Sequence, residues 1–227
     1  MRCSLRNARY GAAGMAIGLS AALATSALAL EPQAPVVFDT LGPAACEMPP
    51  PHFDVSAFRT YAETTPDAPI ARGKLGGSLT DAFAGGGLYG ADEAGGFVVG
   101  VQGMLLGDDP ALTVLCLVVV RLGEADALAG AIVGEDRLDG AADGAFLGVF
   151  KLVRRDADGM PETLATGSVE GGAASFGMVD GILVDGTVTI EGSITLAADG
   201  EVRPITASIA IPRAENVLRP ALRLTRD

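Results

Sequence analysis

Residues 187–196 read TVTIEGSITL and residues 205–211 read ITASIAI, with Asp199-Gly200 between them. In the first run Val188, Ile190, Ile194 and Leu196 alternate with Thr187, Thr189, Glu191, Ser193 and Thr195. In the second, Ile205, Ala207, Ile209 and Ile211 alternate with Thr206, Ser208 and Ala210. Successive side chains of a strand point to opposite faces, so each run reads as a strand with one buried side. Asp-Gly suits the left-handed dihedrals of a tight hairpin turn. A two-residue loop at 199–200 sets Ile194 opposite Ile205, Ile190 opposite Ile209, Val188 opposite Ile211 and Gly192 opposite Ala207. Both apolar sets then share one face, and a slip of one residue would turn one of them outward. Pro204 weakens only its own end of the second strand, as at a sheet edge. Gly192 facing Ala207 leaves the wall thin there. That space is expected to hold a large side chain, the N-terminal arm or a bound apolar molecule.

Working outward, the stretch 73–200 contains 27 of the 31 glycines and few prolines. Each glycine inside a helix costs about 1 kcal/mol relative to alanine, so long amphipathic helices fit poorly and short strands fit better. Six Asp-Gly pairs begin at Asp139, Asp143, Asp158, Asp180, Asp185 and Asp199. Only Ile182-Leu183-Val184 separates the fourth from the fifth, so one of those two is expected to be a bulge or part of a wider loop. Further strands are predicted at 70–79, 95–106, 111–122, 126–134, 145–155, 161–169 and 173–179. The run 112–122 is apolar on both faces, which suits a strand covered on both sides, with a buried helix as the alternative. The expected fold is mainly β: an antiparallel meander of about 8–10 strands over 70–213, closed as a barrel or folded as a sandwich. Residues 214–227 form a C-terminal tail or an edge strand.

The N-terminal third has a different composition. Arg2, Arg6 and Arg9 precede an uncharged Ala- and Leu-rich run, 11–28, that ends in Ala27-Leu28-Ala29. This is the pattern of a cleaved secretory signal peptide over 1–29, with a transmembrane anchor as the alternative reading. The protein is therefore expected to be periplasmic or secreted. Eight of the 13 prolines lie between Glu31 and Pro69. Each restricts its own backbone and that of the residue before it, so 30–69 reads as an irregular Pro-rich arm. One short helix is expected within it, capped by Asp54, with Phe58 and Tyr61 on one side. Beyond the signal, two cysteines remain, Cys46 and Cys116, and an even pair in an oxidising compartment reads as a disulfide.

Charge and motif content then narrow the chemistry. The chain of 227 residues carries 16 basic and 28 acidic residues, net −12. Losing three arginines with the signal leaves 13 basic residues and a net charge of −15. Such a balance argues against a nucleic-acid partner. Gly85-Gly86-Gly87-Leu88-Tyr89-Gly90 matches G-x-G-x-x-G formally, but no hydrophobic strand precedes it, and it reads as a flexible turn rather than a dinucleotide loop. Ala173-Ala174-Ser175-Phe176-Gly177 has part of a nucleophile elbow. Its Ser175 would need His52, the one histidine, as base.

No cofactor is implied, with calcium as the one exception. Asp136, Asp139, Asp143, Asp156 and Asp158 place hard oxygen ligands on glycine-shaped loops, which suits calcium, although turn formation alone explains aspartate there. Scarce catalytic nitrogen leads to an expected non-catalytic role, binding a small apolar ligand or an envelope protein. Peripheral membrane association is compatible with that role. The alternatives are a hydrolase using carboxylates or Ser175 with His52, and an integral outer-membrane barrel.

Overall fold

The computed structural model describes residues 46, 48–50, 52–91, 97–107, 112–123, 126–155 and 158–216. The expected signal peptide over 1–29, the arm before residue 46 and the chain after Asn216 lie outside the described residues. After helix α1 (Val55–Thr64) come β1 (Ala71–Gly77), β2 (Asp81–Ala91), β3 (Phe97–Leu105), β4 (Thr113–Arg121) and β5 (Ala129–Val133). A 3₁₀ turn at Glu135–Arg137 leads to β6 (Phe146–Arg155), β7 (Pro161–Val179), β8 (Ile182–Leu196), β9 (Val202–Ile211) and β10 (Ala214–Asn216). The fold is mainly β and mostly antiparallel, and its sheet closes into a ring because β1 pairs with both β2 and β9. Closure removes the open edges that a meander of this length would otherwise present. Two short strands depart from the antiparallel rule. β5 wedges between β6 and β7, running parallel to β6, and β10 runs parallel to β2, with Ala214 beside Gly87.

The predicted faces of the 187–211 hairpin are observed. Ile190, Ile194, Ile209 and Ile211 are buried, while Glu191 and Thr206 are exposed. The register differs from the sequence expectation by two residues. Ile190 faces Ala207, Gly192 faces Ile205, and Val188 faces Ile209. The loop is wider than Asp199-Gly200 alone: Leu196 N–H bonds Glu201 O at 3.0 Å, and Gly200 N–H bonds Leu196 O at 2.9 Å. Gly200 takes the left-handed position at φ +73°, as in four-residue hairpin loops built on a type I turn. A shift of two preserves every face, so hydrophobic alternation could not distinguish the registers. The shift also sets Ile190 opposite Ala207 and Ile205 opposite Gly192, and the thin Gly192–Ala207 wall does not form.

Of the close Asp-Gly pairs, Asp180-Gly181 is the tight turn. Val179 pairs with Ile182 across it, and φ is +50° at Asp180 and +75° at Gly181. Asp185-Gly186 lies within β8, next to a register shift between Gly177 and Met178. The segments 161–169 and 173–179, expected as two strands, are one strand bent by a bulge between Val169 and Gly171. A bulge kinks a strand without ending it.

The glycine cluster 85–90, expected as a turn, lies inside β2. Gly85 pairs with Gly103 of β3. A Cβ on Gly85 would lie 2.0 Å from Gln102 O, and one on Gly103 would lie 2.5 Å from Ala84 O. The backbones approach too closely there for side chains.

The ring's interior is filled by the protein itself. Phe83, Phe146, Phe150, Leu115, Leu117, Ile132, Leu152, Leu183, Ile190, Ile205 and Ile209 are each less than 2% exposed. Phe176 meets Phe97 and Phe146 edge-on, with centroids 5.5 and 5.6 Å apart. The Tyr89 hydroxyl donates to Gly181 O at 2.7 Å, tying the β7–β8 turn to the interior side of β2. β4 is buried along both faces, as its sequence predicted. Among the described residues no helix is long and apolar enough to cross a membrane.

Candidate functional site

The arm supplies one wall of the site. Asp54 caps α1 by accepting from Ala57 N–H at 2.9 Å, which satisfies a backbone donor that the first helical turn leaves open. Val55 and Phe58 then turn inward and join Cys46, Met48 and Leu112 over Met104, Val114, Cys116 and Val153 on the outside of β3, β4 and β6. Cys46 and Cys116 are disulfide-bonded, with Cα atoms 5.3 Å apart. Three arginines tie down the backbone of the arm and the neighbouring loops. Arg59 donates to Gly107 O at 2.6 Å, Arg72 to Ala62 O and Thr65 O, and Arg155 to Pro49 O. Phe53 stacks obliquely on Phe58, with centroids 5.7 Å apart.

Between this wall and the outer side of β2 and β3 runs a groove of about 410 Å³. Phe53, Phe58, Pro49 and Pro69 line one side, and Gly85-Gly86-Gly87 with Met104 line the other. The glycines create the floor. A Cβ at Gly86 would meet nothing within 4 Å, so the absent side chain is open space in the groove. Among the described residues that line it, Arg213, just before β10, is the one charged residue. Gln102 lines the same groove and a second depression of about 610 Å³, which also shares Pro49 and Phe53. A volume in this range with apolar walls and few polar groups is what small-molecule sites present.

The sequence candidates lie elsewhere. Ser175 is an exposed residue of β7, paired with Ala129 on one side and Thr187 on the other. It is part of a continuous strand, not the strand-to-helix turn that exposes an elbow nucleophile. His52 is exposed in the turn before α1, in the arm that packs on β3, β4 and β6. Asp136, Asp139 and Asp143 belong to the β5–β6 connection, Asp158 to the β6–β7 turn, and Asp156 lies outside the described residues. Among the described residues no three metal-capable side chains gather.

Turn geometry accounts for several of these aspartates, since Gly140, Gly144 and Gly159 follow them at φ +93°, +81° and +81°. Desolvation pushes the neighbouring Glu135 carboxyl above its ordinary value. Sequence reasoning missed Gly86, Gln102 and Arg213 as lining residues. The glycine triplet was a visible signal, but no local pattern shows which wall it faces. No protein-family model, curated protein or solved structure matches this chain.

Proposed function

We infer that this is an exported, non-catalytic β protein that binds a small apolar ligand in the outer groove between the arm and β2. The groove itself carries the reading: about 410 Å³, walled by Phe53, Phe58 and two prolines, and floored by glycines. Its walls bury apolar ligand surface at roughly 25 cal/mol per Å², and its bare floor lets a flat molecule lie close to the backbone. The filled interior supports an outer site over a lipocalin-like one. The disulfide is compatible with an extracellular or periplasmic location, and the signal-like sequence at 1–29 supports export. Along 187–194 and 205–209 the strands β8 and β9 carry Thr187, Thr189, Glu191, Thr206 and Ser208 outward and Ile190, Ile194, Ile205 and Ile209 inward. On that side of the ring the polarity is the inverse of a lipid-facing barrel and favours water around β8 and β9.

The test is uptake of a neutral fluorescent probe, N-phenyl-1-naphthylamine, by the wild type and by Gly86→Leu. The new side chain would project into open groove, so thermal stability should hold while probe uptake is lost. Undiminished uptake by Gly86→Leu, or none by the wild type, would overturn the assignment.

A further inference from the structure

Resting on that reading of the groove, the geometry points to a ligand class: a free, small amphiphile with one anionic head group, its apolar body on the glycine floor and its head at Arg213. The other described residues lining the groove are uncharged, so the Arg213 cation gives it a polarity that a purely apolar ligand would not use. Arg213 is exposed, and among the described residues no carboxylate pairs with it and no hydrogen bond engages its side chain. A guanidinium that is always protonated offers a planar fork of donors matched to carboxylate, sulfonate or phosphate oxygens.

Its position is fixed by topology. Arg213 directly precedes Ala214, which pairs in parallel with Gly87, so the cation stands beside the β2 glycines. The protein as a whole is strongly acidic, with net charge −12, and attraction of an anion to this surface must therefore be local. The side chain of Phe53 is 36% exposed and Phe58 packs beneath it, which leaves an aromatic face available to the ligand body.

The experiment compares two probes of similar shape on the purified protein: 1-anilinonaphthalene-8-sulfonate, which carries one negative charge, and neutral N-phenyl-1-naphthylamine. Arg213→Gln should weaken the sulfonate about tenfold, as loss of a charge-assisted hydrogen bond does, and leave the neutral probe unchanged. Arg213→Lys should recover part of the loss. Added salt should weaken only the sulfonate. Equal affinity of the sulfonate for wild type and Arg213→Gln would overturn the anionic head group while the groove assignment stood. If Gly86→Leu failed to reduce binding of either probe, the groove itself would be wrong and the inference would fall with it.

Discussion

Removing the Cys46–Cys116 bridge should cost the protein much of its stability, and the size can be worked from the chain. The two cysteines are 70 residues apart in sequence, and the loop they close holds α1, β1, β2 and β3. In the chain-entropy treatment the cross-link restricts the unfolded chain by 2.1 + 1.5R ln n, which for a loop of this length is about 15 cal/mol/K, or roughly 4 kcal/mol at 25 °C. Cys116 is fully buried under the arm, so the double variant Cys46→Ala/Cys116→Ala also loses some packing of the outer cluster.

Against a typical total of about 5–15 kcal/mol this is a large fraction. For a protein of this size it corresponds to a fall in Tm of about 8–16 °C. Guanidinium unfolding of the oxidised wild type, the wild type in dithiothreitol and the double variant would measure it. The two bridge-free samples should unfold at similar, lower midpoints with a steeper denaturant dependence, because the freed unfolded chain exposes more surface. Coincident midpoints with and without reductant, or non-reducing peptide maps showing both thiols free, would refute the reasoning.

Two further predictions concern the ring. Ile190→Asp should destabilise by several kcal/mol, since it buries an unpaired carboxylate, whereas Glu191→Lys on the outer face should stay within about 0.5 kcal/mol; equal sensitivity in urea unfolding would overturn the assignment of faces. A Cβ on Gly167 would lie 2.2 Å from the buried Phe150 ring, while one on Gly171 would meet nothing within 4 Å. Gly167→Ala should therefore lose about 1–3 kcal/mol to overpacking and Gly171→Ala should not, which differential scanning calorimetry of the pair would check.

Local chemistry determined much of this protein before any tertiary contact was known. Alternation at 188–196 and 205–211 fixed which side chains face inward, because strand periodicity is a property of the backbone at each residue. Asp54 marked the start of α1, since a side-chain acceptor at that position satisfies an open helical N–H. The double apolar face of 112–122 marked an element covered on both sides, although periodicity left strand and buried helix open.

Tertiary structure alone decided the rest. Hydrophobic alternation is unchanged by a shift of two, so the pairing of Gly192 with Ile205 came from the loop's own hydrogen bonds. β2 was invisible because glycine carries no side chain to show a period. Its glycines are explained by the approach of Gly85 to the β3 backbone and, at Gly86, by a groove that opens on the other side. Phe58 was legible as one side of a helix, but what that side packs on was not. Arg213 joins Phe53 and Gly86 only because β10 returns to β2 and the arm is held against β4. Period, capping and turn preference are written within a few residues of one another. A groove made by three distant segments is written only in how the ring closes.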